Sequence, residues 1–460
     1  MSRLVVVSNR VALPRDRSAR AGGLAVGVLS ALKRARGLWL GWSGETTETP
    51  AAAPKVINSG GITYATIDFT PAEFDAYYNG YCNSTLWPLL HYRLGLVDHS
   101  RAYQDAYMRV NARFAEHLAK LVRPDDVIWV HDYQLMALPG ELRARGLKNR
   151  IGFFLHIPLP GPEIFCALPA HRLLMRSLAQ CDLVGFQTEP DLRAFRDYAV
   201  YEAGGALRNG TIEMFGRTLR AGAFPIGIDV DEMHDLAVEA EQEEETRRLV
   251  DSLSGRQLII GVDRLDYSKG ILGRIEAVGE LLTSHPDYRN RITFVQIAAP
   301  SRIDVKRYRS LRREIEATAG RINGQHAEID WVPVRYLNRV FPRRQLAGFY
   351  RVARLGLVTP LRDGMNMVAK EYVAAQRGDD PGVLVLSRFA GAAREMEDAL
   401  IVNPFDTVEV AEAIDRGLRM PVEERRARWQ GLMETLKRND LDRWSDGFME
   451  ALTDLHRAAA

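Results

Sequence analysis

The residues of this sequence best suited to chemistry are cations and carboxylates that follow short apolar runs. Arg264 and Lys269 belong to one such segment, RLDYSKG. Arginine can bind two phosphate oxygens at once and lysine acts as a compact point charge, so the pair suits a diphosphate. Pairing of Arg264 with Asp266 at the surface is the alternative that this segment leaves open.

Two carboxylates follow a second apolar run. Asp363 and Glu371 are separated by seven residues, and a helix is predicted from Met367. Carboxylates accept hydrogen bonds from vicinal hydroxyls, which suits Asp363 to a sugar and Glu371 to a ribose diol. Aspartate also commonly caps helices, so the segment alone leaves both interpretations of Asp363 open.

The N-terminal half offers a phosphate site of its own. Its first apolar run ends in Arg10, and Gly22 and Gly23 then precede a predicted helix. Paired glycines let the backbone approach a ligand closely, and a helix N-terminus offers free N–H groups to phosphate. For a Gly-Gly pair alone, a plain turn is the commoner interpretation.

Metal binding is not favoured anywhere in the sequence. His131, Asp132 and His156 follow two further apolar runs, but their spacing matches no strong metal motif, and buried histidines with structural hydrogen bonds are common. Asp229 and Asp231 resemble a short acidic motif that holds a metal in some other enzymes. Capping of the following helix by Asp231 is the favoured interpretation.

An aromatic cluster adds a second kind of candidate surface. Its members are Trp39, Trp42, Tyr77, Tyr78, Tyr81 and Trp87. Aromatic faces suit the CH surfaces of sugars, and the OH and NH groups give directional hydrogen bonds. Packing in the core is the favoured alternative, for Trp39 above all.

The elements that must position these residues are buried strands alternating with amphipathic helices. The strands are predicted at residues 4–8, 127–131, 151–156, 183–186, 257–262, 292–297, 355–359 and 383–387. The helices are predicted at residues 24–36, 134–145, 271–284, 305–319, 367–377, 408–417, 421–438 and 441–455. This alternation predicts α/β domains with parallel sheets, whose ligands bind beyond the carboxyl ends of the strands.

Length and composition predict a globular protein of two domains. The chain has 460 residues, too many for one ordinary core, and the joint is predicted near residues 225–227. A net charge of +2, from 61 basic and 59 acidic residues, gives no reason to expect a nucleic-acid or membrane surface.

Cysteine usage and the length of the apolar runs predict a cytoplasmic location. Cys82, Cys166 and Cys181 are odd in number and lack metal-ligand spacing, which favours a reducing compartment. The apolar run near the N-terminus is too short for a signal peptide, and no stretch approaches the roughly 20 apolar residues of a membrane span.

Nine short motifs resemble the trehalose-6-phosphate synthase family. They are Ser-Asn-Arg at 8–10, Gly-Gly-Leu at 22–24, Tyr-Tyr-Asn at 77–79, Leu-Trp-Pro at 86–88, His-Asp-Tyr at 131–133, Phe-Phe-Leu-His-Ile-Pro at 153–158, Arg-Leu-Asp-Tyr-Ser-Lys-Gly at 264–270, Asp-Gly-Met-Asn at 363–366 and Lys-Glu-Tyr at 370–372. Each motif alone is weak. Their order and spacing agree along almost the whole chain, which makes the set highly specific.

The resemblance implies an α/β protein of the GT-B fold, in which two Rossmann-like parallel-sheet domains face a deep cleft. Residues 1–228 would bind the acceptor, residues 229–438 would bind the nucleotide sugar, and a helix within residues 439–460 would return to the N-terminal domain. The implied reaction transfers glucose from UDP-glucose to glucose 6-phosphate with retention of configuration. It needs no metal or cofactor. The chain stops without the phosphatase-like extension of some relatives, so release of the phosphorylated product is expected.

Site roles carry over from the resemblance residue by residue. The donor site would comprise Gly22, Gly23, Arg264, Lys269, Phe341, Asp363, Gly364, Met365, Asn366, Met367, Val368, Ala369, Lys370 and Glu371. The acceptor site would comprise Arg10, Tyr78, Trp87 and Arg302 at the phosphate, with Trp42 and Asp132 at the sugar. Asp132, His156, Arg264, Lys269 and Asp363 would serve the reaction itself, with His156 beside the reacting carbon.

Several points stay open at this stage. Gln134 and Gly161 depart from the family pattern near the sugar site. A glucosylglycerol-phosphate synthase that uses glycerol 3-phosphate, a same-fold epimerase or phosphorylase, and a non-catalytic sugar-phosphate sensor are the alternatives. Trp42, Trp87 and Asp132 favour a sugar acceptor. The sequence does not fix the nucleotide base, and UDP is chosen by resemblance only. It also leaves open the oligomeric state, with a homo-oligomer as one alternative.

Overall fold

The structure is a computed structural model that describes residues 3–14, 23–302 and 305–454. The chain divides into two compact units. The first comprises the residues up to Ile226 together with those from Asp442 onward, and the second comprises Gly227–Leu441. The chain passes into the second unit after Ile226 and returns to the first after Leu441. These boundaries lie two residues before and three residues after the ones expected from the sequence.

The first unit is built on a mixed sheet with a parallel centre. Its strands are β1 (Leu4–Arg10), β2 (Leu38–Thr46), β3 (Lys55–Ser59), β4 (Ile62–Phe69), β5 (Val127–His131), β6 (Arg150–Phe154), β7 (Leu183–Phe186), β8 (Ala206–Arg208), β9 (Thr211–Met214) and β10 (Arg217–Ala223). Their spatial order is β3-β4-β2-β1-β5-β6-β7-β10-β9-β8. The neighbours from β4 to β10 are parallel, so the carboxyl ends of β2, β1, β5, β6 and β7 share one edge.

Helices accompany this sheet along the chain. They are α1 (Gly23–Ala35), α2 (Pro71–Glu73), α3 (Trp87–Leu90), α4 (Arg101–Ala119), α5 (Leu138–Ala144), α6 (Pro162–Phe165), α7 (His171–Leu178) and α8 (Glu189–Asp197). A π-helical segment, Phe74–Leu86, connects α2 to α3. The helix predicted over residues 134–145 begins only at Leu138. A short 3₁₀ turn comes first, because Asp132 leaves β5 with a left-handed φ of 75°.

The second unit has an entirely parallel sheet. Its strands are β11 (Gln257–Arg264), β12 (Ile292–Ala299), β13 (Val334–Leu337), β14 (Leu355–Val358), β15 (Val383–Ser387) and β16 (Leu400–Val402). Its helices are α9 (Val230–Ala240), α10 (Glu244–Leu253), α11 (Ile271–Ser284), α12 (Lys306–His326), α13 (Arg343–Val352), α14 (Met367–Ala375), α15 (Thr407–Arg419) and α16 (Val422–Arg438). The strand order β13-β12-β11-β14-β15-β16 places the carboxyl ends of β11 and β14 side by side.

Asp229, not Asp231, caps the first helix of the second unit. The carboxylate of Asp229 accepts the backbone N–H of Glu232 at 2.9 Å. The sequence prediction was thus wrong by two residues on the position of the cap. It was right that this acidic pair begins a helix.

The last helix, α17 (Leu441–Thr453), packs on the sheet of the first unit. Phe448 is completely buried and stacks on Trp129 with ring centroids 4.8 Å apart. Gly152 and Gly185 permit this approach, since a Cβ at either position would lie 2.7 Å from the Phe448 ring. Truncating a buried phenylalanine to alanine typically costs about 3–5 kcal/mol, so Phe448 holds this helix firmly in place.

Candidate active site

The sheet of the first unit brings five sequence-distant polar or aromatic residues to one edge. Arg10 ends β1 and pairs in register with Trp42 of β2. Asp132, His156 and Gln187 follow the neighbouring strands β5, β6 and β7. Four of these residues were predicted to bind or orient the acceptor or to act beside the reacting carbon, and Gln187 was not identified from the sequence.

Arg10 presents an exposed guanidinium at this edge. It lies so close to Gly44 that a Cβ there would be 2.8 Å from the Nη2 atom of Arg10. Gly44 also has a φ of +99°, a conformation that side-chain-bearing residues rarely adopt. Glycine at this position therefore leaves room for the arginine.

The π-helical segment carries the aromatic residues of the site. Tyr77 is buried and donates its hydroxyl to Asn9 Oδ1 at 2.8 Å. Its neighbour Tyr78 is half-buried, with its ring stacked on Phe74 at 5.2 Å and tilted against Trp42 at 6.0 Å. The segment thus anchors one tyrosine in the core and leaves the ring predicted at the acceptor phosphate partly exposed.

Most of the predicted aromatic cluster packs in the core. Trp39 is 1% exposed and donates its Nε1–H to Ser8 Oγ at 2.8 Å. Trp87 is also buried, with its ring 4.0 Å from His91 and 5.6 Å from Tyr133. The preference for core packing is confirmed for Trp39, and Tyr78 is the more accessible candidate for ligand contact.

Asp132 links the ends of β5 and β6. Its carboxylate accepts the backbone N–H of His156 at 3.2 Å, and its own N–H donates to the carbonyl of Phe154 at 2.8 Å. Gln134, which departs from the family pattern, holds its neighbours through its backbone. Its carbonyl oxygen accepts hydrogen bonds from the Tyr77 hydroxyl and the Asn111 side-chain amide. Substitution of that side chain leaves these two bonds possible.

His131 is buried, and its ring stacks on that of the half-buried His156. Nδ1 of His131 lies 3.0 Å from Nε2 of His156, and their rings are 5.2 Å apart. Burial lowers the pKa of His156 to about 3, and burial together with His156 lowers the pKa of His131 well below its ordinary value. Both imidazoles are therefore neutral near pH 7.

In the second unit, a predicted cation and a predicted carboxylate form one ion pair. Nζ of Lys269 lies 2.5 Å from Oδ2 of Asp363, and both side chains are mostly buried. Arg264 stands exposed at the end of β11, the strand that leads into Lys269. Both cations lie at the carboxyl end of β11 or just beyond it, where they suit a polyanionic ligand.

The loop between Asp363 and α14 is held in a fixed form. Asn366 caps α14, accepting the N–H of Ala369 at 3.3 Å and donating to Asp363 Oδ2 at 3.0 Å. The carbonyl of Met365 accepts the N–H of Ala392 at 2.8 Å. Capping by Asp363 was one of two interpretations of the sequence, and the structure assigns the cap to Asn366 instead.

Two members of the predicted donor segment are engaged inside the protein. Lys370 is completely buried and paired with Glu395. The N–H of Ala369 donates to Asn366 Oδ1 at 3.3 Å. Donor binding by the segment from Gly364 to Glu371 stays a prediction.

Arg274 was not identified from the sequence, yet it organises this edge. It is 1% exposed, forms a 2.5 Å ion pair with Asp263, donates to Thr359 Oγ1 at 3.1 Å and binds the carbonyl of Lys269 at 3.1 Å. The backbone of Gly270 also lies close to that of Thr359. Only glycine permits this approach, because a Cβ at position 270 would lie 2.2 Å from the carbonyl oxygen of Thr359. Together they fix the backbone that carries Lys269.

Glu371 projects from the second turn of α14. Its carboxylate lies 3.8 Å from Nε of Arg343, which also forms a 2.7 Å ion pair with Glu232. Burial raises the pKa of Glu371 to about 7, with Arg343 opposing the shift and Glu232 adding to it. Nearby, Phe341 packs between Arg339, at 4.3 Å, and the ring of Phe349.

We expect the donor KM to rise as the pH falls through about 7. A pKa raised to about 7 means that Glu371 is ionised above this pH and protonated below it, where it loses acceptor capacity for a ribose diol. A hydrogen bond to a charged group is worth about 1.5–3 kcal/mol, so its loss predicts roughly a tenfold effect or more on the donor KM. The donor KM measured from pH 5.5 to 8.5 tests this, and Glu371→Gln should abolish its rise near pH 7. If the rise persisted in Glu371→Gln, it would have to come from the titration of another group.

Arg302 lies within the second unit with its side chain 4% exposed. Its Nη1 donates to Tyr308 Oη at 2.6 Å and to Asp266 Oδ2 at 3.2 Å. Tyr308 donates to the same oxygen at 3.0 Å. The predicted contact of Arg302 with an acceptor phosphate would compete with this buried pair.

The glycine pair predicted at the diphosphate lies at an edge of the described residues. Gly22 lies outside the described residues, and Gly23 is the first residue of α1. Within residues 3–14, 23–302 and 305–454, no group of three histidine, cysteine or acidic side chains could hold a metal ion. None of the helices in these ranges has the length and apolarity that a membrane crossing requires.

Comparison with known proteins places these residues in a family. The model of glycosyltransferase family 20 matches residues 2–454. Trehalose-6-phosphate synthase of Sinorhizobium fredii is 49% identical over 457 residues, covering 98% of each chain. A crystal structure of the UDP-forming α,α-trehalose-phosphate synthase of Burkholderia vietnamiensis is 48% identical, with a TM-score of 0.98 and coverage of 100% of this chain and 98% of that one.

A second crystal structure adds a ligand. The enzyme of the same description from Burkholderia xenovorans, in complex with glucose 6-phosphate, is 50% identical. Its TM-score is 0.95, and the match covers 98% of this chain and all of that one. The sequence expectations of an α/β protein with the GT-B fold and of this family are confirmed. The chain belongs to glycosyltransferase family 20.

Proposed function

We propose that this glycosyltransferase makes α,α-trehalose 6-phosphate by transferring glucose from UDP-glucose to glucose 6-phosphate. The observation that carries the proposal is the full-length similarity to UDP-forming synthases, one of them bound to glucose 6-phosphate. The residues at the two sheet edges suit these substrates in charge and type.

The donor is assigned to the second unit. Arg264 and Lys269 supply the positive charge that a diphosphate needs, and Asp363 supplies acceptor oxygens for glucose hydroxyls. Glu371 would accept hydrogen bonds from the ribose. Gly22 and Gly23 are assigned to the diphosphate and Phe341 to the base by family resemblance.

The acceptor is assigned to the sheet edge of the first unit. Arg10 and Tyr78 would bind the phosphate of glucose 6-phosphate, and Trp42 and Asp132 would orient its sugar. Trp87 and Arg302 are assigned to the phosphate by family resemblance. A hydrogen bond to a charged group is worth about 1.5–3 kcal/mol, so these contacts favour a phosphorylated sugar over a neutral one.

The proposed reaction retains the configuration of the donor by front-face attack. The acceptor hydroxyl oxygen bonds to the anomeric carbon while the bond from that carbon to the phosphate oxygen breaks. The hydroxyl proton passes to that departing oxygen. Arg264 and Lys269 stabilise the negative charge that develops on the nucleotide. No metal or additional cofactor is assigned a step.

A cytoplasmic location is part of the proposal. Cys82, Cys166 and Cys181, all among the described residues, are not joined in a disulfide, which supports a reducing compartment. Burial raises the pKa of Cys181 well above its ordinary value and raises that of Cys166 to about 11. Both thiols are therefore protonated at neutral pH.

One turnover panel tests the function. UDP-, GDP- and ADP-glucose are each offered with glucose 6-phosphate or glycerol 3-phosphate, with and without EDTA. We expect the greatest turnover for UDP-glucose with glucose 6-phosphate, little effect of chelation, and an α-type anomeric coupling at the transferred glucose in proton NMR. A preference for glycerol 3-phosphate would identify the acceptor alternative, and a β-type coupling would contradict front-face transfer. Binding without turnover would identify a sensor.

A further inference from the structure

Gln187 is fixed at both ends of its side-chain amide. It follows β7 directly and is 2% exposed. Its Oε1 accepts the backbone N–H of Ile226 at 3.0 Å. Because only the oxygen of an amide can accept, this bond determines which way the amide faces. The Nε2 group is thereby turned toward Nδ1 of His156, at 3.3 Å.

This amide determines where His156 carries its proton. An amide nitrogen only donates, so Nδ1 of His156 must present a lone pair, and the proton of the neutral ring sits on Nε2. That Nε2 lies 3.0 Å from Nδ1 of His131, which must in turn accept. Hydrogen bonds therefore run in one direction from Gln187 through His156 to His131.

His131 ends this hydrogen-bond chain in an apolar environment. It is completely buried, and its Nε2 has no hydrogen-bond partner among the described residues. The rings of Trp129 and Trp444 lie 4.6 and 6.3 Å from its own. The carboxylate of Asp132 accepts the backbone N–H of His156 at 3.2 Å. These surroundings disfavour an extra proton on either ring.

We propose that Gln187 is a positioning residue, which holds His156 as the neutral Nε2–H tautomer and leaves its ring with no nitrogen free to accept the proton released during glucosyl transfer. The inference rests on the proposed function and refines it. His156 then serves the reaction through its fixed shape and its backbone, and the proton passes to the departing phosphate oxygen.

The tautomer can be observed directly in the wild-type protein. With histidine labelled by ¹⁵N, long-range proton–nitrogen spectra distinguish a protonated ring nitrogen from one with a lone pair, and His156→Asn assigns the signals among the ten histidines. We expect protonated Nε2 and unprotonated Nδ1 for His156. A protonated Nδ1 in the wild-type protein would overturn the inference, whether or not the turnover panel confirms the reaction.

Gln187→Glu reverses the hydrogen-bond chain with a nearly isosteric change. Both carboxylate oxygens accept, so the contact with Ile226 survives while His156 must now donate from Nδ1. We expect the tautomer signals of His156 to exchange and kcat to fall about tenfold, with a much smaller change in the KM for glucose 6-phosphate. Unchanged signals together with unchanged kcat would contradict a positioning role.

Matched variants separate positioning from folding. Gln104→Glu makes the same change beside another histidine of the first unit, His99, 3.4 Å away, and should leave kcat unchanged. His131→Asn keeps an acceptor oxygen near the position of Nδ1 and should retain more activity than His131→Leu. Equal activity of these two His131 variants, with equal thermal unfolding temperatures, would show that the acceptor at this position does not matter.

Discussion

Arg264→Ala is expected to lower kcat about a hundredfold with only a small change in the KM for glucose 6-phosphate. The charge that Arg264 is proposed to stabilise grows as the nucleotide departs, so the lost interaction is greater in the transition state than in the bound substrate. Removing one such contact typically costs about 3 kcal/mol. Steady-state kinetics at saturating UDP-glucose measures this loss.

Arg264 permits a cleaner test than its neighbour. The residue is exposed at the end of β11, so its truncation leaves no cavity in the packed core. Lys269→Ala, in contrast, would leave the mostly buried carboxylate of Asp363 without the cation that lies 2.5 Å away. Arg248→Ala on α10, where the side chain is 76% exposed, is the matched control and should keep full activity. Near-normal kcat of Arg264→Ala at saturating donor would remove this arginine from the mechanism.

The fold was most predictable where strands are buried on both faces. The predicted bounds of β5, β7 and β15 agree with the structure, because strands covered on both sides form continuous apolar runs. Strands β2, β3 and β4 were missed. Gly41 and Gly44 interrupt the apolar pattern of β2, and β3 is a half-exposed edge strand. The pattern that identifies central strands does not extend to such positions.

The site was predictable as a set of strand ends but not as a set of contacts. The sequence placed Lys269 and Asp363 after two different strands, and the adjacency of those strands brings the charges together. Arg274 and Gln187 were missed because each is a single polar residue outside any motif. Gln187 does follow a predicted strand, so applying the strand-end rule to β7 would have selected it.

Two cations proposed to bind ligand phosphate, one at the donor and one at the acceptor, are held in ion pairs before the ligand arrives. Lys269 and Arg302 already have carboxylate partners, Asp363 and Asp266, inside the second unit. Ligand phosphate must therefore compete with a protein carboxylate for each of them, which lowers the net gain from the contact. Arg10 is exposed at the end of β1, where an acceptor phosphate can approach it from solvent.

Arg10→Ala is expected to raise the KM for glucose 6-phosphate roughly tenfold or more and to leave turnover of unphosphorylated glucose unchanged. A hydrogen bond to a charged group is worth about 1.5–3 kcal/mol, and glucose has no phosphate with which to form it. The ratio of kcat/KM for the two acceptors should therefore narrow by the same factor. Competition between glucose 6-phosphate and glucose measures that ratio directly.

Three further variants test whether the guanidinium itself selects the phosphate. Arg10→Lys keeps the charge and should retain part of the preference. Gly44→Ala leaves Arg10 itself unsubstituted but should displace its guanidinium, because a Cβ at position 44 would lie 2.8 Å from Nη2 of the arginine. This variant should therefore also weaken the preference for the phosphorylated sugar. Arg302→Lys tests the second arginine while keeping a cation beside the buried carboxylate of Asp266. Arg302→Ala would remove that cation and leave the buried charge less well compensated. If Arg10→Ala kept the wild-type preference for the phosphorylated sugar, the acceptor phosphate would have to bind elsewhere on the protein.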